Sequence, residues 1–92
     1  MRPIHPGRIL RREIEARRLS ANALALALRT PSGRVTDILN GKRGVSPETA
    51  MRLGRYFGNS ARFWLNLQTA YELGVAEAAL GDRIASEVTP AA

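Results

Sequence analysis

The sequence has no cysteine and a single histidine, His5, in 92 residues. Without thiols there is no disulfide and no thiolate–zinc site. One imidazole cannot build a metal centre, so no metal and no cofactor are expected. β-Branched residues are few and never form an alternating run, which removes the usual strand signal. No apolar run approaches the roughly 18 residues that a membrane-spanning helix needs. The stretch Met1-Arg2-Pro3-Ile4-His5-Pro6 has no apolar segment, so no secretory leader is expected. An enzyme would need a nucleophile–base pair or a metal cluster. With no thiol, one imidazole and scattered acids, catalysis is not expected. The aromatics are also few, and Tyr56, Phe57, Phe63, Trp64 and Tyr71 all fall between 56 and 71.

What is present is positive charge. Fourteen Lys and Arg oppose eight Asp and Glu, for a net charge of +6 and a pI near 11.3. The excess is unevenly placed. Residues 1–58 hold 12 basic and 4 acidic side chains, net +8, whereas residues 59–92 hold 2 and 4, net −2. A basic small domain suits nucleic acid, because Lys and Arg release counterions from phosphates. Single-strand binders interleave aromatics with their cations so that bases can stack. Here the two are separated, which favours duplex.

The residues that remain, rich in Leu, Ala, Arg and Glu, are good helix formers. An all-α chain of five helices is expected, with the last one long. Pro6 opens a helix to about residue 18, with Ile9, Leu10, Ile14 and Leu19 at helical spacing. Ser20 caps a second helix ending near Leu28. Thr30-Pro31 or Pro31-Ser32 starts a third, with Val35, Ile38 and Leu39 inside. Asn40-Gly41 stops it, the glycine supplying a left-handed residue. Ser46-Pro47-Glu48 starts a fourth, which buries Ala50, Leu53, Tyr56 and Phe57, with Met51 flanking. Ser60 caps the fifth, whose apolar residues include Phe63, Trp64, Leu67, Tyr71, Val75 and Ala78. Gly81-Asp82 reads as its break. One domain over residues 1–81 and a fraying tail over 82–92 are expected.

Two short helices joined by a tight turn, over 20–28 and 31–40, have the layout in which the second helix enters a major groove. Its outward residues are Ser32, Arg34, Thr36, Asp37 and Asn40. Gly33 allows close approach. Lys42 and Arg43 follow, placed for phosphate. Ser20 and Asn22 open the preceding helix, whose first amides suit an anion. Asp37 can accept from a cytosine amine or orient Arg34. The bland reading of each is a solvated helix face, and for Ser20 a cap alone. Arg8, Arg11, Arg12, Arg17 and Arg18 read first as a solvated face laced with Glu13 and Glu15, and second as charge that steers toward DNA or meets an acidic patch of a protein partner. Phe63 and Trp64 are assigned to the core. Leu67, Tyr71, Val75 and Ala78 are assigned to a seam with a second copy. His5 is taken as a surface or helix-start residue without chemistry.

The stretches Leu19-Ser20-Ala21-Asn22-Ala23-Leu24-Ala25 and Val35-Thr36-Asp37-Ile38-Leu39-Asn40-Gly41-Lys42 resemble lambda-repressor-like (XRE) DNA-binding domains. With His5-Pro6-Gly7-Arg8-Ile9-Leu10, Leu39-Asn40-Gly41-Lys42-Arg43-Gly44, Phe63-Trp64-Leu65-Asn66-Leu67-Gln68 and Tyr71-Glu72-Leu73, the chain more narrowly resembles HigA antitoxins over about residues 4–80. The resemblance implies a cytoplasmic, nucleoid-associated homodimer on a palindromic operator that represses its own operon. It also implies a HigB-like, mRNA-cleaving toxin as the partner to be neutralised. Two positions depart from the family pattern. Arg8 stands where an acid often follows His-Pro-Gly. Arg29 stands where the turn usually has glycine, at a cost of about 1 kcal/mol if φ is positive. A free-standing regulator of the same fold is the competing reading, and a small ribonuclease gene beside this one separates the two. A purely protein-binding helical module fits the charge asymmetry less well.

Overall fold

The computed structural model describes residues 2–91 and contains five helices, α1 (Pro6–Ala16), α2 (Ala21–Leu28), α3 (Ser32–Leu39), α4 (Pro47–Phe57) and α5 (Ala61–Glu87). Local chemistry sets their starts. The hydroxyls of Ser20, Ser46 and Ser60 accept from the amides of Ala23, Thr49 and Phe63, each three residues on. His5 does the same for α1, its Nδ1 accepting from the Gly7 amide at 2.9 Å. Proline follows the cap in α1 and α4, where a missing N–H is no loss.

The core is one cluster built from all five helices. Leu10 and Ile14 of α1 meet Leu24, Ala25 and Leu28 of α2, and Val35 and Ile38 of α3. Ala50, Leu53 and Trp64 close it from α4 and α5, and Val45 from the loop before α4. Leu24, Ala50, Leu53 and Trp64 are fully buried. A large apolar side chain so placed contributes about 1.5–3 kcal/mol. The Trp64 indole N–H donates to Asn59 Oδ1 at 2.9 Å, so its one polar atom is satisfied.

Several expectations need correction. α1 ends at Ala16, two residues early, because Arg18 turns left-handed. α3 starts at Ser32, the later of the two readings. Gly81-Asp82 does not break α5, which continues to Glu87. A mid-helix glycine costs only about 1 kcal/mol. Beyond it the helix gains an Arg83–Glu87 pair at 3.1 Å, and Pro90 is the first residue that forbids it. Residues 82–87 are therefore helix, not fraying tail. Phe63 and Tyr56 lie at the rim, each 40% exposed, and Phe57 is half-buried. All three sit near helix ends. The four rings still form a string. Tyr56 meets Phe57, and both Phe57 and Phe63 meet Trp64, at centroid separations of 5.0–5.8 Å. The Arg17 guanidinium covers Phe57 at 4.8 Å. Leu39 is half-buried, and Met51 is exposed.

Candidate nucleic-acid interface

α2 and α3 are held at fixed depth by three long-range contacts. At Gly7, a Cβ would stand 1.9 Å from the Ile38 carbonyl oxygen. Only glycine lets the start of α1 approach the end of α3 so closely. Arg52 donates to the Leu28 carbonyl at 2.9 Å, tying the end of α2 to α4. Arg11 donates to the Leu39 carbonyl at 3.5 Å, tying α1 to the end of α3.

α3 buries Val35 and Ile38. At about 100° per residue, the opposite face is centred on Gly33, Thr36, Asp37 and Asn40, with Ser32 at its edge. Gly33, Thr36, Asn40 and Ser32 are exposed, and Asp37 is half-buried. Arg34 falls on the flank. Its side chain turns back to Thr30, Nη1 lying 3.5 Å from the hydroxyl, and its Nε is buried without a partner among the described residues. Arg34 and Asp37 form no ion pair among the described residues, so Asp37 does not orient Arg34 here. To reach a base, Arg34 must leave Thr30.

The basic loop after α3 is fixed at both ends. Gly41 takes a left-handed φ of 74° and reverses the chain. The Asp37 carbonyl then accepts from the amides of Lys42 at 2.8 Å and Arg43 at 3.2 Å. At the far end, Gln68 Oε1 of α5 accepts from the Val45 amide at 2.8 Å. Both cationic side chains are exposed beside the outer face of α3. Sequence reasoning missed these anchors, although Gln68 sits in a quoted family block. At the start of α2, Ser20 satisfies the Ala23 amide, while the amides of Ala21 and Asn22 keep no intrahelical acceptor. Ser20 and Asn22 are exposed. Seven of the nine singled-out residues thus lie on α3 or just after it, with Ser32, Thr36, Asn40, Lys42 and Arg43 exposed and Arg34 and Asp37 half-buried, and Ser20 and Asn22 stand at the start of α2. Such a surface suits duplex DNA, with phosphate contacts at its edges and base edges at its centre.

Arg29 closes α2 with φ 56° and ψ 49°, so of the two readings of the turn it is the left-handed one that holds. Leu67, Tyr71, Val75 and Ala78 share one face of α5. Leu67 and Tyr71 are half-buried beside the N-terminal strap, where the His5 ring meets Tyr71 edge-on at 4.9 Å. Val75 and Ala78 are exposed. Leu73, Leu80 and Ile84, which sequence reasoning left out, are exposed on the opposite side. Among the described residues, no group of three His, Cys, Asp or Glu could hold a metal, and no helix is long and apolar enough to cross a membrane.

The helix-turn-helix family pattern matches residues 10–64. An addiction module antidote protein of the HigA family from Coxiella burnetii is 50% identical and superposes with a TM-score of 0.96, covering 99% of this chain and all of that one. The chain belongs to the HigA family of helix-turn-helix proteins. A second HigA-family structure, the Pseudomonas aeruginosa antitoxin HigA with higBA promoter, is 49% identical with a TM-score of 0.95, over 99% of this chain and all of that one. Virulence-associated protein I of Dichelobacter nodosus is 51% identical over 78 residues, 84% of this HigA-family chain and 72% of the relative.

Proposed function

We propose that this chain is a sequence-specific, operator-binding repressor and the antitoxin of a type II toxin–antitoxin pair. One observation carries the reading. The exposed face of α3, flanked by Lys42 and Arg43, stands in a chain that matches, along nearly its whole length, an antitoxin solved with promoter DNA. The base-reading residues are Ser32, Arg34, Thr36, Asp37 and Asn40. Lys42, Arg43, Ser20 and Asn22 hold phosphates. One helix reads too few base pairs to be selective, so the active form is a homodimer on a palindromic operator, its half-sites a helical turn apart. Leu67, Tyr71, Val75 and Ala78 form the seam. The protein works without catalysis and without a cofactor. It acts in the cytoplasm at the nucleoid and neutralises a HigB-like, mRNA-cleaving toxin.

The test is a mobility-shift titration with the protein's own promoter and a scrambled duplex over a salt series, beside co-purification with the toxin encoded next to it. Promoter-selective binding with a steep salt dependence and a stable toxin complex are expected. Equal, weak binding to both duplexes would sink the repressor half. Failure to hold the toxin would sink the antitoxin half.

A further inference from the structure

The end of α2 and one side of α4 enclose a groove of about 520 Å³. Four of its lining residues, Ala27, Leu28, Met51 and Tyr56, offer carbon, and the other three are Arg29, Arg52 and Arg55. No acid lines it. Arg52 belongs to the wall. It donates to the Leu28 carbonyl at 2.9 Å and to Glu48 at 3.2 Å, which fixes the end of α2 against α4 and takes up the one carboxylate nearby. Arg29 and Arg55 are exposed, and neither side chain has a hydrogen bond or ion pair among the described residues. Met51 is 65% exposed and Tyr56 40%. The groove takes no residue from α3, from the loop after it or from α5. It shares nothing with the residues proposed to touch DNA or with those assigned to the seam between copies.

This mixture of chemistry selects its occupant. A phosphate backbone is met by cations and gains nothing from an exposed thioether beside an open ring. A wholly apolar partner would cover the guanidinium groups of Arg29 and Arg55 and leave them dry and unpaired, which is costly. An acidic protein segment that carries one aliphatic or aromatic side chain answers both. The side chain covers Met51 and Tyr56, methionine adapting its shape to the anchor, and the carboxylates pair with the arginines. We propose that this groove is the docking site for the toxin, which enters it with an acidic segment of that kind. The inference rests on the antitoxin reading above. The toxin then docks without taking up any residue proposed to hold the operator. The competing role is purely structural, since Arg55 in the last turn of α4 also complements the helix dipole.

Two variants of the full chain test this, with the toxin encoded beside this gene as the probe. Met51→Glu replaces the apolar anchor by a carboxylate one helical turn before Arg55, a pairing that supports the helix. R29Q/R55Q removes the two unpaired charges. Each is titrated with the toxin by calorimetry over a salt series, titrated with the promoter at about 0.15 M salt, where distant charges are largely screened, sized by light scattering and melted. Met51→Glu should bind the toxin at least about tenfold more weakly. R29Q/R55Q should bind it more weakly and with less dependence on salt. Promoter affinity, dimer size and Tm should stay near wild type in both. Wild-type toxin affinity in Met51→Glu would overturn the proposal and leave the antitoxin reading intact. Unchanged affinity and salt dependence in R29Q/R55Q would overturn it too. So would an equal loss of promoter affinity, which would make the groove a DNA surface, or a monomer, which would make a second copy its occupant. Wild-type protein that holds no toxin would sink the antitoxin reading and this proposal with it.

Discussion

Substituting Gly7 by alanine sets helix propensity against packing. Alanine is the better helix former by about 1 kcal/mol, so propensity alone makes Gly7→Ala stabilising. The structure gives the opposite sign. The new methyl carbon would lie 1.9 Å from the Ile38 carbonyl oxygen and 2.9 Å from its carbon. Even a close C–H···O contact needs about 3.3 Å between carbon and oxygen. One helix end must therefore retreat by roughly 1.4 Å, and the obstacle is backbone, which no rotamer change relieves. Overpacking of this kind costs about 1–3 kcal/mol. Taking the upper end and subtracting the propensity gain leaves a net loss of about 2 kcal/mol. For a domain this size that lowers Tm by roughly 8–16 °C. Function should suffer separately. The Ile38 carbonyl accepts from the Gly41 amide at 3.1 Å, so moving it moves the turn that aims Lys42 and Arg43. Calorimetry measures the first effect, and a promoter titration well below the lowered Tm measures the second. A Tm above that of wild type would refute the steric argument outright.

Lys42→Ala and Arg43→Ala should each weaken binding to every duplex alike and flatten the salt slope by about 0.9 per contact, whereas Thr36→Ala should relax base preference at one position per half-site. If the three behaved alike in a panel of operator variants, the sorting into phosphate and base contacts would be wrong. Gln68→Ala leaves the Val45 amide without its acceptor and should lower stability by about 1–3 kcal/mol in chemical denaturation, while reducing promoter affinity because the basic loop loses its far anchor. Wild-type affinity would show that Asp37 alone holds the loop. Val75→Glu with Ala78→Glu should give a monomer by light scattering at a helical content near wild type, and an intact dimer would move the seam to the Leu73, Leu80 and Ile84 face.

The helix starts and most of the core could be read from the residues because their causes are local. A serine oxygen reaches an amide three residues on, and the pairs Leu10 and Ile14, Leu24 and Leu28, and Ala50 and Leu53 fall at helical spacing. Where an element ends against its neighbour is not local, and there the reading slipped. Periodicity puts Tyr56 and Phe63 on apolar faces but does not say how far each is covered. The interface divides the same way. Its outward residues follow from spacing on α3, but apart from Gln68 Oε1 the acceptors that support them are main-chain carbonyls, which sequence does not display. Asp37 holds the amides of Lys42 and Arg43, Leu28 holds Arg52, and Leu39 holds Arg11. Every one of these acceptors is a peptide oxygen that survives any side-chain change compatible with the helix. The positions proposed to read bases can therefore be exchanged without loosening what aims them. Ser32, Thr36 and Asn40 on the exposed face of α3 should tolerate substitution within about 0.5 kcal/mol of stability, as surface positions do. Gly7, Gln68 and Arg52 should not.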